Sequence, residues 1–131
     1  MKVLLIGLGR WGEKHLRVLG ELGVERWVAD VSAARRAFAV QAGVAADHAV
    51  EDFRRALPHV DAVDIVTPAD NHLTLAAECL RAGRDCFVEK PLTLTVDEGR
   101  RLAAIVAQTP RAVPTCGVKQ LSKNTPCRVS S

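Results

Sequence analysis

The stretch Val3-Leu4-Leu5-Ile6-Gly7-Leu8-Gly9-Arg10-Trp11-Gly12 decides the fold of this chain. Its four apolar residues read as a short strand buried on both faces. The glycines that follow stand in the order Gly-x-Gly-x-x-Gly, and the spacing gives each a task. Gly7 turns the chain sharply out of the strand. Gly9 lets a pyrophosphate approach the backbone, and Gly12 lets the next helix pack close to the strand. A helix starting here offers unpaired N–H groups and the positive end of its dipole to the phosphates. Leu8, Arg10 and Trp11 share the turn and join the candidate cofactor-binding set.

Beyond the glycines, Trp11, Leu16, Leu19 and Leu22 recur at roughly helical spacing and predict one apolar helix face, stopped by Gly23. A second strand is expected over 26–29, ending at Asp30, which lies 18 positions beyond Gly12. A carboxylate there accepts hydrogen bonds from the adenosine ribose and repels a 2′-phosphate, which favours NAD. Arg35 and Arg36 leave NADP open, since an arginine at this place can hold a 2′-phosphate. They also suit a solvated helix face.

Ser32 caps a helix expected to run to about Gln41, with Gly43 as its stop. An extended piece is expected over 44–46 and a short helix over 50–57, ended by Pro58. The next strand covers 61–66 and closes at Thr67-Pro68. Residues 71–82 read as a helix stopped by Gly83, and 85–88 as a strand. Thr95 and Glu98 have capping-box spacing and open a helix to about Gln108. Strands alternating with helices argue an α/β fold of Rossmann type: a doubly wound parallel sheet in a single domain over 1–110.

The second informative string is Glu89-Lys90-Pro91, straight after the strand ending Cys86-Phe87-Val88. In an open parallel sheet, ligands bind at the C-terminal edge of the strands. Lys90 there puts an ammonium where it can orient a substrate hydroxyl or stabilise developing alkoxide charge, so it is the candidate catalytic residue. Glu89 would tune or position it; the bland alternative is a surface ion pair. Thr67, Pro68, Asn71 and His72 sit between a strand and a helix. Helix capping by Asp70 or Asn71 explains them locally. The functional reading sets this loop against the nicotinamide half of a dinucleotide, with His72 facing the cleft.

Composition narrows the class. At 131 residues, 48% hydrophobic and 25% charged, the chain matches an ordinary globular domain. Its apolar runs are far too short to span a membrane. Met1-Lys2-Val3 leads straight into a strand, leaving no signal peptide, so the expected location is the cytoplasm. No pair among Cys79, Cys86, Cys116 and Cys127 has C-x-x-C spacing, which suggests free thiols rather than a metal site. Cys79 and Cys86 fall on apolar faces and read as packing. Residues 1–110 hold 14 basic and 15 acidic groups, so the body offers no footprint for nucleic acid.

Taken together, the chain resembles the N-terminal domain of the glucose–fructose oxidoreductase/inositol dehydrogenase/rhizopine-catabolism (Gfo/Idh/MocA) family. The residues that carry the resemblance are Gly7 to Gly12 with His15, Asp30, Thr67-Pro68 with Asn71-His72, and Glu89-Lys90-Pro91-Leu92. The resemblance covers roughly residues 1–110. It implies a Rossmann domain binding NAD(P) and reversible oxidation of a sugar, nucleotide sugar or cyclitol secondary alcohol, with Lys90 as the active-site lysine. It also implies a second α/β domain, supplying the substrate pocket and much of an oligomer interface, for which this chain has no sequence.

In its place stands a tail, 111–131, with four basic residues and no acid. Ala112-Val113 could begin a sixth strand, and little order is expected beyond it. A frameshifted continuation of a longer gene, a natural short tail and a fragment with added residues all fit this tail; sequencing of the encoding DNA past codon 110 would tell them apart. Three functions are therefore in play: a dehydrogenase module, a stand-alone dinucleotide-binding module without turnover, and a folded remnant that binds nothing. Apolar surface that a second domain would cover predicts a homo-oligomer.

Overall fold

A computed structural model describes residues 1–109 together with the short segments Val118–Lys119 and Arg128–Val129. Strands β1 (Lys2–Ile6), β2 (Glu25–Ala29), β3 (Ala49–Val50), β4 (Ala62–Ile65) and β5 (Asp85–Val88) form one sheet in the order β3-β2-β1-β4-β5. Every pairing in it is parallel. The order runs outward in one direction from β1 to β3 and in the other from β4 to β5. The direction reverses between β1 and β4, and the crevice at such a reversal is where open α/β sheets take ligands.

Helices cover the sheet on both faces. Alternate residues of β1 sort to opposite sides. Leu4 and Ile6 join Val63, Ile65 and Val88 beneath α3 (His72–Arg81) and α4 (Val96–Gln108). Leu5 joins Leu16 of α1 (Arg10–Glu21) and Ala39 of α2 (Ala33–Gln41) on the other side. Side chains as fully buried as Leu102 of α4 contribute about 1.5–3 kcal/mol each. Helix ends follow their sequence signals. Ser32 Oγ accepts from the Arg35 amide, Thr95 Oγ1 accepts from the Glu98 amide, and the Glu98 carboxylate accepts from the Leu94 amide.

Two local expectations fail. The third strand lies at Ala49–Val50, not at 44–46, because Val28 and Ala29 of β2 pair with those two residues. The expected helix over 50–57 is instead β3 followed by the single 3₁₀ turns Phe53–Arg55 and Leu57–His59. Asp52 holds the first turn by accepting from the Arg54 amide, and Pro58 sits in the second. Buried Phe53 and Leu57 anchor both turns to the core. Beside them Trp27 stacks between His48, 3.8 Å away, and His59, at 5.0 Å.

The apolar positions of α1 divide between core and surface. Leu16 is buried, but Trp11 is 57% exposed and Leu22 69% exposed. Between α1 and the outer strands β4 and β5 this face leaves an open, largely apolar groove of about 940 Å³. Val18, Leu22, Ala62 and Phe87 line its length. Cys79 and Cys86 are free and buried, as their placement suggested. The hydrogen bond between them, together with burial, pushes the Cys86 thiol up and leaves it unreactive. In the tail, β6 (Val118–Lys119) pairs antiparallel with β7 (Arg128–Val129); the rest of the tail, where little order is expected, lies outside the described residues, Ala112-Val113 with it.

Candidate dinucleotide site at the strand ends

The glycine turn has the geometry its spacing implies. Gly7 adopts φ +93° and donates its amide to the Ala29 carbonyl at 3.0 Å. A Cβ on Gly12 would sit 2.2 Å from the Gly7 carbonyl oxygen, so only glycine lets α1 start this close to β1. Gly9 differs from both. Its φ is −81°, and a Cβ there would meet nothing within 4 Å. Nothing in the fold asks for glycine at that position; the open space above it is where a ligand would need backbone access. The N-terminus of α1 has no side-chain cap, in contrast to α2 and α4. Its first amides are thus left for an anion. Arg10 and Trp11 are both exposed beside this turn, with the Lys14 ammonium 4.2 Å from the Trp11 ring centroid.

Asp30 stands at the end of β2 and ties two turns together. One carboxylate oxygen accepts from the Leu8 amide and the other from the Ser32 amide, each at 2.8 Å. Each oxygen keeps a further acceptor direction for a ribose hydroxyl. The arginines are committed elsewhere. Arg35 donates to the Leu8 carbonyl at 2.5 Å and pairs with Glu13. Arg36 donates to the carbonyls of Asp30 and Val31. Neither is held out as a free cation at the ribose position.

Across the sheet, Glu89 and Lys90 follow β5. The Lys90 side chain is exposed, and its ammonium has no ion-pair partner among the described residues. The bland alternative, a Glu89–Lys90 ion pair, does not form among the described residues. One Glu89 oxygen instead accepts from the Lys90 backbone amide at 3.0 Å, and the other faces His15 Nε2 at 2.9 Å. His15 Nδ1 lies 2.7 Å from Asp64 of β4, which is only 7% exposed. The hydrogen bond to Asp64 holds the His15 pKa above its ordinary 6.5 against the opposing effect of burial, with Glu89 adding to the rise. Sequence reading used His15 only as part of a resemblance and missed Asp64. The available signal was an acid in the middle of the apolar run 62–65, because a buried carboxylate needs a partner.

His72 does not face the cleft. It is 1% exposed, with Nδ1 2.9 Å from the Pro91 carbonyl and 3.2 Å from that of Leu92. Nε2 lies 2.7 Å from the Thr67 carbonyl. The ring therefore ties the loop after β4 to the turn after β5, whose Lys90–Pro91 peptide is cis. Neither Asp70 nor Asn71 caps α3 with its side chain. The Thr67 hydroxyl donates to Asn71 Oδ1 at 2.5 Å, and Pro68 is exposed beside them. Gly7 to Gly12, Asp30, Thr67 and Lys90 thus gather along one edge of the sheet, while His72 serves beneath it.

Known proteins share this fold. Residues 1–115 match the family model described as an oxidoreductase family with an NAD-binding Rossmann fold, Gfo/Idh/MocA. UDP-N-acetylglucosamine 3-dehydrogenase of Acidithiobacillus ferrooxidans is 32% identical over 115 residues, 82% of this chain and 34% of that protein. Inositol 2-dehydrogenase of Rhizobium meliloti is 33% identical over 106 residues, 80% of this chain and 32% of that one. Scyllo-inositol dehydrogenase from Lactobacillus casei, solved with bound NAD(H) and scyllo-inositol, superposes with a TM-score of 0.80 at 28% identity. That match covers 88% of this chain and 35% of the solved one. The chain spans about a third of the length of the relatives it matches. Over that third the glycine turn, the sheet order and the match to residues 1–115 agree, and the chain belongs to the Gfo/Idh/MocA oxidoreductase family with its NAD-binding Rossmann fold.

Proposed function

We propose that this chain is the cofactor-binding part of an NAD-dependent dehydrogenase acting on a secondary alcohol of a sugar, nucleotide sugar or cyclitol. The observation that carries the reading is Gly9: a glycine the fold does not require, open to solvent, at the uncapped start of α1. The pyrophosphate would rest on Gly7 to Gly12 and the adenosine ribose on Asp30. Thr67, Pro68 and Asn71 would border the nicotinamide half, with Glu89, Lys90 and Pro91 across from them. When bound, NAD supplies the hydride acceptor. Lys90 contributes an unpaired ammonium that holds the substrate hydroxyl and stabilises the negative charge that develops on its oxygen. His72 positions the loops from below. Arg35 and Arg36, being engaged, support NAD over NADP.

Hydride transfer needs a positioned substrate as well as a cofactor. With about a third of its relatives' length, the chain also fits a second reading, a dinucleotide-binding module without turnover by itself. The exposed groove beside α1 favours self-association of this chain, and the reading places it in the cytoplasm. Calorimetric titration with NADH and NADPH tests the cofactor site. Tighter binding of NADH is expected, and no binding of either at millimolar concentration would overturn it. An assay with a panel of sugars and inositols then separates turnover from binding alone.

A further inference from the structure

We infer that His15 is a positioning residue: carried as an imidazolium, it fixes Glu89, and through Glu89 the backbone of Lys90, at the edge where the cofactor would lie. The inference rests on the reading of Lys90 given above. Its basis is a count of protons. His15 Nδ1 is 2.7 Å from one Asp64 oxygen and Nε2 is 2.9 Å from one Glu89 oxygen. Ionised carboxylates only accept, and a neutral imidazole carries a single N–H. Both contacts are hydrogen bonds only when the ring holds two protons.

The rest of the geometry makes this clamp consequential. Glu89 is fixed at its backbone, where its amide donates to the Ile65 carbonyl at 2.9 Å, and its second carboxylate oxygen takes the Lys90 amide. The position of Lys90 is therefore set by a carboxylate whose orientation His15 sets. Asp64 has no other donor among the described residues, and its Oδ1 is buried without a partner. The titratable groups that line the groove together with His15 are Lys14 from its own helix, Asp64 from β4, Asp85 at the start of β5, and Glu89 and Lys90 after it. The Phe87 ring, 6.3 Å away and tilted, adds an apolar wall. Loss of the second proton leaves one carboxylate without its donor, and Glu89 is the one free to swing because it is less buried than Asp64. The hydrogen bonds raise the His15 pKa above its ordinary 6.5, so the ring keeps its second proton to higher pH than a free imidazole does.

The experiment uses the full chain, isotope-labelled, with the His15 ring and the Glu89 and Lys90 amides followed by NMR across about pH 5 to 9. NADH affinity is measured over the same range. The His15 midpoint should lie above 6.5, and both amides should move with that midpoint. NADH should bind about three- to tenfold more weakly above it, the range that the net contribution of one ordinary intramolecular hydrogen bond spans. In His15→Gln the Lys90 amide curve should flatten and the NADH profile lose its step. If that variant does not fold, the wild-type titration decides alone. Amides that ignore the His15 midpoint, or a midpoint at or below 6.5, overturn the inference. Amides that follow His15 in a chain that binds no NADH support the clamp and refute the cofactor reading. NADH binding with amides indifferent to His15 does the reverse.

Discussion

The turn after β1 and the turn after β5 meet at the same edge of the sheet, but they are held in different ways. Backbone shape holds the first at its glycines, with Asp30 and Arg35 bound to Leu8 between them. Gly7 needs its positive φ, Gly12 lies against the Gly7 carbonyl, and no ionisable side chain is required to keep that contact. Side chains hold the second: Glu89, His15 and Asp64 in one chain of contacts, and His72 bound to backbone carbonyls from below. The steric contact between Gly7 and Gly12 keeps its form at any pH. A turn set through a titratable ring depends on a proton, so the phosphate half and the reactive half of the site should respond differently to conditions.

The harshest way to break the comparison is Gly12→Ala. The added Cβ would meet a backbone oxygen at 2.2 Å, and that oxygen cannot swing aside. A loss near the upper end of overpacking costs, about 3 kcal/mol, is expected in urea unfolding, with no dependence on pH. His15→Gln comes next. It leaves Asp64 with a weakened partner, and a loss of about 2 kcal/mol is expected at pH 6. Because the His15 pKa is raised in the fold, its stabilising effect is complete below its unfolded value of 6.5 and fades as pH rises through the folded one. Unfolding curves of wild type and variant should therefore converge as the solution becomes alkaline.

Two further changes sharpen the contrast without disturbing the fold. Gly9→Ala should leave stability within about 0.5 kcal/mol, since its backbone is ordinary and its surroundings are open. NADH affinity should nevertheless fall about tenfold or more, equal to about 1.4 kcal/mol. Unchanged affinity in calorimetry would show that no phosphate approaches that point. Leu22→Lys should have the smallest effect on folding, because Leu22 is largely exposed. Its effect should appear in sedimentation, as less self-association at high concentration than the wild type shows.

How much of this was legible in the sequence follows from the same division. The glycine turn and the parallel α/β class of the sheet rest on local rules of backbone shape and on apolar runs such as 3–6, and both read directly. So did Ser32 and Thr95 as helix caps, because each side chain acts within its own turn. The clamp on Lys90 was not legible, since His15, Asp64 and Glu89 come from separate elements that only the fold brings together. His72 misled for a related reason. A histidine beside a strand end suggests chemistry, but carbonyls from two loops converge on this one and draw it inside. The short strand at Ala49–Val50 was misplaced because two residues carry no period; its register comes from β2. Trp11 and Leu22 matched a helical spacing, but the α1 stripe they share is wider than the sheet beneath it covers.

That exposed indole has an optical consequence. The chain contains two tryptophans and no tyrosine, so its near-ultraviolet emission comes almost entirely from Trp11 and Trp27. One sits in water at the lip of the site beneath the Lys14 ammonium; the other is buried between two imidazoles. Unfolding should shift the light from Trp27 to longer wavelength and leave that from Trp11 nearly unchanged. A ligand arriving at the glycine turn should quench Trp11 alone. The molecule thus carries two separate dyes, one for its folding and one for its site.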